Sequence, residues 1–166
     1  MLIRDAAQHD AAAIAGIYNP YVLGTTVSFE EASVTPEEMA KRIAQVQHHE
    51  LPYLVLELDG QVQGYAYATP WRVRKAYRYS VEITVYLTQQ VQGRGYGTAL
   101  YQALFTRLKA VGVHDVIAGI TQPNPGSVAL HEKLGLQQVA LFPEVGFKFG
   151  AWRDVGYWQL LFTDQD

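Results

Sequence analysis

Val85-Tyr86-Leu87-Thr88-Gln89-Gln90-Val91-Gln92-Gly93-Arg94-Gly95-Tyr96-Gly97-Thr98 reads as the end of a strand, a glycine-rich turn and the first turn of a helix. The strand is set by the residues on its N-terminal side. From Ser80 to Leu87, Val81, Ile83, Val85 and Leu87 alternate with Glu82, Thr84 and Tyr86, the two-residue period of a β-strand, so Glu82 is an acid inside a strand. The helix is set by the residues on the C-terminal side: Leu100, Ala103, Leu104, Leu108 and Val111 recur at helical spacing and Gly112 supplies a stop, giving about four turns. Between the two, several glycines let consecutive backbone N–H groups converge on an anion with no Cβ in the way, and the helix N-terminus adds about half a positive charge. The segment is therefore suited to cradle phosphate. A nucleoside triphosphate loop would need Gly-Lys-Ser/Thr, which does not occur, and a dinucleotide fingerprint would need glycine at 98, where Thr98 stands.

Working outward, the chain alternates short strands and helices. Leu2 to Arg4 predicts an opening strand, and Asp10 is the expected cap of a helix carrying Ile14, Ile17 and Tyr18 that stops before Pro20. Tyr21 to Ala32 then reads as a loop. Thr35 as N-cap, Pro36 at the first position, Glu38 closing a capping box and Val34 stapled to Met39 begin a second helix. Tyr53 to Leu58 and Gln61 to Thr69 flank Asp59-Gly60, a hairpin signal because both residues tolerate positive φ. After the glycine loop and its helix, Val116 to Thr121 predicts a strand, and Asn124-Pro125 starts a short helix ending at Gly135. Leu136 to Phe142 and Val155 to Phe162 are two final strands around a Gly-containing loop. The expectation is one α/β domain over residues 1–166 with a mixed sheet, antiparallel in its first half and crossing over in its second.

Composition narrows the function classes. At 166 residues a single core can bury roughly 70% of the unfolded chain's surface, and neither disulfides nor metal are needed to hold it. With no Cys, disulfides, thiolate nucleophiles and thiolate metal sites are excluded. Thirteen basic against sixteen acidic residues leave a net charge of −3 and no Lys/Arg stripe, which disfavours nucleic acid as a partner. No apolar run approaches the ~18 to 20 residues of a membrane helix, and Met1 to Asp5 carries no signal-peptide pattern, so a cytoplasmic location is expected. His131-Glu132 opens like a zinc-binding His-Glu-x-x-His helix, but Gly135 stands where the second His belongs, and no metal site is expected.

The Gln92-x-x-Gly95-x-Gly97 spacing resembles the pyrophosphate loop of the GNAT acyltransferases, whose cofactor is acetyl-CoA. Asn124-x-x-Ser127-x-x-x-His131-Glu132-Lys133-Leu134-Gly135 is similar to that superfamily's second cofactor motif. Nearly end to end, the chain resembles the phosphinothricin and methionine sulfone/sulfoximine acetyltransferase group. That likeness is carried by Ile17-Tyr18-Asn19 with Thr25 to Glu30, Ala68 to Arg74 with Ala76-Tyr77, Val81-Glu82 with Val85-Tyr86, and Phe147-Lys148-x-Gly150-x-Trp152 leading to Asp154–Leu160. The resemblance implies a GNAT-like fold of about seven strands and four helices with splayed central strands. It places Val85, Tyr86 and Leu87 along the pantetheine arm, and Gln92, Gly93, Arg94, Gly95, Tyr96, Gly97, Thr98, Asn124 and Ser127 around acetyl-CoA. Phe29, Glu30, Arg72, Arg74, Tyr77, Lys148 and Trp152 would surround the acceptor, with a homodimer as the assembly and Lys148 and Trp152 reaching a neighbouring subunit's site.

Chemistry gives these positions tasks. Acetyl transfer to an amine needs a neutral nitrogen, a polarised carbonyl and a proton for the departing sulfur. Glu82, set among apolar and aromatic residues, is the candidate base because desolvation raises a carboxyl pKa. Its other reading is a strand carboxylate paired with a surface Arg. His131 is the candidate acid where many relatives have Tyr, and a packed core histidine beside Leu130 and Leu134 is the alternative. Arg72 and Arg74 suit bidentate recognition of an α-carboxylate, or else are solvated loop residues. Direct transfer to a small amino acid analogue is expected; another amine acceptor, or a CoA-binding sensor without turnover, are the other functions compatible with these residues.

Overall fold

The computed structural model describes residues 1–163 of the chain. In order, its elements are β1 (Leu2–Asp5), α1 (Ala11–Gly24), α2 (Pro36–His48), β2 (Tyr53–Leu58), β3 (Gln61–Pro70), β4 (Ser80–Leu87), α3 (Tyr96–Ala110), β5 (Asp115–Gln122), α4 (Pro125–Lys133), β6 (Gln137–Lys148) and β7 (Ala151–Leu161). The strands form one seven-stranded sheet in the order β1-β2-β3-β4-β5-β7-β6. Every neighbouring pair is antiparallel except β4 and β5, whose connection through α3 makes them parallel.

Strand alternation assigns each residue to a face. Leu54, Leu56, Ala66, Ala68, Val81, Ile83, Val116 and Ala118 pack on one side against Leu100, Leu104 and Leu108 of α3, with Val128, Leu130 and Leu134 alongside. On the other side Tyr53, Val55 and Tyr65 meet Ile14 and Val22 of α1 and Met39 and Ile43 of α2. Each fully buried Leu or Ile is worth roughly 1.5–3 kcal/mol, so these two half-cores on one sheet supply the stability that the absent cross-links do not. Val81, Ile83, Val85 and Leu87 face α3, whereas Glu82, Thr84 and Tyr86 face α1 and α2.

The β4–β5 ladder is short. It pairs Ser80 with Asp115, Val81 with Val116 and Glu82 with Ile117, and there it stops, although both strands continue. The two strands part immediately beyond Glu82, giving the splayed centre that the sequence resemblance implied.

Several expectations hold in detail. Thr35 caps α2 by accepting from the Glu38 N–H at 3.1 Å, and the Asp59-Gly60 turn has φ of 51° and 78°. Others need correction. The Thr35 capping box is only half formed, because the Glu38 carboxylate pairs with Arg42 one turn on rather than reaching back. Asp10 does not cap α1 with its side chain; its carboxylate accepts from the Ala7 N–H at 2.7 Å and from Arg4. Helix α1 does not stop before Pro20 but runs through it to Gly24. The lost hydrogen bond and ring clash cost about 3 kcal/mol. Burial of Tyr21 and Val22 in the next turn offsets that, and the helix end is closed by Thr25, whose N–H and hydroxyl both reach the Tyr21 carbonyl. The final strands are longer than expected: β6 continues to Lys148 and β7 begins at Ala151. Pro143, Glu144 and Val145 form an irregularity inside an edge strand, where a proline removes no needed hydrogen bond.

Candidate active site

In the β3–β4 ladder Trp71 N–H bonds to the Ser80 carbonyl and Thr88 N–H to the Gln63 carbonyl. Antiparallel parity then sends the backbone groups of even-numbered β4 residues toward β3, and those of Ile83, Val85 and Leu87 into the gap left by β5. Tyr21 of α1 closes off one of these: its hydroxyl donates to the Leu87 carbonyl and accepts from the Gln92 amide at 2.5 Å. The N–H and C=O of Val85 and the N–H of Leu87 therefore edge the groove, in the position an amide-bearing chain such as pantetheine can pair with.

The loop at the groove's end matches the sequence reading. Gly93 and Gly95 have φ of 75° and 86°, and a Cβ added to either would meet nothing within 4 Å, so the backbone there is open to a guest. Gly95 is the N-cap of α3 and no side chain caps this helix. The N–H groups of Tyr96, Gly97 and Thr98 thus lack intrahelical partners, and a helix start of this kind is suited to hold an anion. Gly97 lets α3 pack closely, since a Cβ there would lie 3.3 Å from the Leu130 side chain of α4. Across the groove Asn124 caps α4 by accepting from the Ser127 N–H at 3.2 Å.

Glu82 stands at the last paired step before the strands part, half-buried on the α1–α2 side. Desolvation pushes its carboxyl above the usual 4.5, with the charge of Arg72 opposing. Thr69 lies directly across the ladder from it. Tyr157 of β7, which the sequence reading missed, completes this surround: it sits over Gly119, packs edge-on against Trp71 at 5.8 Å, and its pKa is raised by burial and then by the Glu82 charge. The only signal for it was the small residue at 119, visible once strand pairing is known.

His131 is buried and both ring nitrogens are engaged. Nδ1 donates to the Ser127 carbonyl at 2.7 Å and Nε2 accepts from the Tyr101 hydroxyl at 3.0 Å. Burial lowers its pKa, so the ring is neutral and its one proton is held by backbone. That is the arrangement of the packed core histidine.

The expected acceptor residues are partly brought together. Arg72 is exposed, with its guanidinium 4.6 Å from the centre of the Trp71 ring, and Arg74 and Tyr77 follow on the same exposed segment. Phe29 lies against Gly146 of β6. Glu30 does not offer a free carboxylate: Arg42 grips it with both terminal nitrogens at 2.6 and 2.8 Å, and the Tyr18 hydroxyl donates to it as well. Lys148 differs most from expectation. It is 1% exposed and donates to the Val22 and Ser28 carbonyls at 2.7 and 2.6 Å, so its ammonium is inside its own subunit rather than in an acceptor site. Trp152 is exposed on the hairpin, against Phe147. On the Glu82 side of the sheet a cavity of about 360 Å³ opens between α2 and β3, lined by Arg42, Tyr53, Tyr65, Tyr67 and Thr69 among others. The sequence reading did not include them, though Tyr65-Ala66-Tyr67-Ala68-Thr69 alternates large polar with small residues.

Comparison with known proteins agrees with this geometry. Residues 3–156 match the acetyltransferase (GNAT) domain family. The phosphinothricin N-acetyltransferase of Streptomyces viridochromogenes is 41% identical over 95% of this chain and 85% of its own length. The L-methionine sulfoximine/L-methionine sulfone acetyltransferase of Salmonella typhimurium is 39% identical over 96% of this chain and 94% of its own. The crystal structure of a phosphinothricin acetyltransferase from Sinorhizobium meliloti in complex with acetyl-CoA superposes with a TM-score of 0.94 at 38% identity, over 98% of this chain and 89% of that one. With a parted parallel strand pair, an uncapped glycine-loop helix and these relatives in agreement, the chain belongs to the GNAT acetyltransferase family.

Proposed function

We propose that the protein is an acetyl-CoA-dependent N-acetyltransferase that acetylates the α-amine of a small amino acid analogue of the phosphinothricin or methionine sulfoximine/sulfone type by direct attack. The observation that carries this is the placement of Glu82: a half-buried carboxylate with a raised pKa at the last paired step of β4, beside backbone N–H groups turned into the groove. The glycine loop fits the cofactor's pyrophosphate, because its open positive-φ glycines and uncapped helix start present N–H donors without side chains in the way.

When bound, acetyl-CoA supplies an activated thioester. The remaining work falls to this chain. Glu82 accepts a proton from the acceptor's ammonium, and its burial suits it to that task near neutral pH. The Val85 N–H is placed to polarise a carbonyl in the groove. Arg72 and Arg74 hold the α-carboxylate, with Tyr77, Phe29 and Trp152 at the margins and Tyr157 flanking Glu82. Positioning of this sort is worth roughly 7–11 kcal/mol, against about 1.4 kcal/mol for deprotonating an α-amine of pKa ~8 at pH 7. His131 supports α4 from within. Two copies pair through the β6–β7 hairpin, whose Val139, Leu141, Val145, Phe147 and Trp152 are all exposed on one chain. A cytoplasmic site of action goes with this reading; no helix among the described residues is long and apolar enough to cross a membrane.

Release of CoA thiol from acetyl-CoA, measured over a panel of amino acids, sulfones, phosphinothricin, amines and peptides, tests the proposal. Turnover concentrated on free amino acid analogues is expected. Binding of acetyl-CoA with no turnover on any acceptor would instead support a sensor.

A further inference from the structure

The gap between β4 and β5 narrows to an apex, and the walls of that apex limit what an acyl chain lying in the gap can be. In the plane of the sheet it closes at Glu82 and Ile117, the last paired residues, where the strands return to the ladder spacing of about 4.8 Å. On one face Ile83, Ala118 and Ile120 belong to a single packed cluster with Leu100 and Leu104 of α3 and Leu130 of α4. On the other face, the one that bears Glu82, the first β5 residue beyond the fork is Gly119, directly opposite Tyr157 of β7.

The ring of Tyr157 occupies the space a side chain at 119 would take. A Cβ there would lie 3.0 Å from its Cε1 and 3.4 Å from its Cζ, so a larger residue would push the ring aside. The ring is braced on two sides: Trp71 meets it edge-on at 5.8 Å and 75°, and Phe142 of β6 at 5.7 Å and 81°. Trp71 follows β3, with its N–H on the Ser80 carbonyl, and three strand spacings, roughly 14 Å, separate β3 from β7. The two rings therefore lean toward one another over the Glu82–Ile117 row that lies between them. Tyr157 is the side chain that roofs the β5 flank of the apex.

We propose that Tyr157, seated over Gly119 and wedged between Trp71 and Phe142, sets the length of the acyl group that is transferred, leaving room for acetyl and excluding longer chains. The inference rests on the chain being an acyltransferase that holds its thioester in the β4–β5 gap. The effect comes from the bulk of the ring, so the hydroxyl is dispensable to it. One methylene too many against a fixed wall costs about tenfold or more. On the same reading the CoA portion lies along the β4 backbone and the glycine turn, away from Tyr157, and is unaffected by its size.

Isothermal titration of CoA, acetyl-CoA, propionyl-CoA and butyryl-CoA tests this, beside CoA-thiol release from the three thioesters with L-methionine sulfone and L-phosphinothricin as acceptors. In the parent, butyryl-CoA should bind about tenfold more weakly than acetyl-CoA, and kcat/KM should fall about tenfold from acetyl to propionyl. Tyr157→Ala, and Tyr157→Leu as a variant that keeps apolar contact with Trp71 and Phe142, should bring the three thioesters within about threefold of one another. Tyr157→Phe should keep the parent's ratios, and free CoA should bind within about twofold in every variant. The proposal is overturned if the parent handles butyryl-CoA as well as acetyl-CoA, if the ratios stay fixed in Tyr157→Ala and Tyr157→Leu while all donors weaken together, or if Tyr157→Phe relaxes them as far as alanine does. Fixed ratios with normal acetyl transfer refute the length limit alone, whereas CoA binding without thiol release from any donor refutes the acyltransferase reading and this proposal with it.

Discussion

Replacing Lys148 by Met keeps most of the aliphatic stem and removes the charge. The ammonium holds two carbonyls that otherwise lose their partner: Val22, one of the last four of α1 and so without an intrahelical donor, and Ser28, in the segment that carries Phe29 and Glu30. Hydrogen bonds from a charged donor contribute about 1.5–3 kcal/mol each, and a cation at a partly buried helix C-terminus adds up to about 2 kcal/mol. Against this, the substitution relieves the burial of an ammonium that has no carboxylate within ion-pairing distance among the described residues, a recovery of several kcal/mol. The net expectation is a loss of about 2–4 kcal/mol. For a chain of this size that lowers Tm by about 5–15 °C. Thermal unfolding of Lys148→Met, followed by circular dichroism, reads the first effect. Steady-state kinetics at a temperature where both proteins are folded reads the second, a raised acceptor KM with the acetyl-CoA KM within about twofold. An unchanged or higher Tm would refute the reasoning, because it would mean that burying the charge costs more than the two carbonyl contacts return.

Glu82→Gln should slow turnover about tenfold at pH 7, with the deficit shrinking toward nothing by about pH 9 as an α-amine of pKa ~8 deprotonates unaided; a pH–rate profile with a constant deficit would remove Glu82 from the base role. The same variant should be no less stable than the parent at neutral pH, since a carboxyl whose folded pKa is raised disfavours folding above its unfolded pKa, a sign that denaturant unfolding checks. Tyr21→Phe, which frees the Leu87 carbonyl and the Gln92 amide, should raise the KM for acetyl-CoA several-fold and leave the acceptor KM nearly unchanged. Arg72→Ala should raise KM for amino acid acceptors about tenfold or more and not that for acetyl-CoA, and equal changes would dismiss carboxylate recognition by this residue. Because His131 is held neutral, the unfolded chain takes up its proton first as pH falls below about 6.5, and stability should fall there less steeply in His131→Gln than in the parent, as urea titrations at stepped pH would show.

How much the sequence reveals depends on how local each signal is. Thr35-Pro36, Asp59-Gly60 and the alternation through β4 are decided within a few residues, and the structure has them where expected. Pro20 misled because the burial of Tyr21 and Val22 that carries α1 past it is tertiary. Pro143 to Gly146 read as a loop for a similar reason: an edge-strand bulge has loop composition but is held by β7, including the Asp154 carboxylate accepting from the Glu144 N–H at 2.7 Å. In the candidate site, the glycine turn before α3 and the strand position of Glu82 were legible because each is one contiguous pattern. Lys148, Tyr157 and the tyrosine-lined cavity were not, since their roles depend on residues distant in the chain or on which element covers a sheet face.

The parting of β4 from β5 directly after Glu82 turns one strand into a partition. On the proposed function its in-plane backbone edge serves the donor of the acetyl group, and its outward even-numbered side chains serve the recipient. Substitutions that reshape the recipient's side, among the residues of α2 and β3, need not disturb a single group on the donor's side. A chain built this way can exchange one acceptor for another by drift on one sheet face, keeping the same acyl supply throughout.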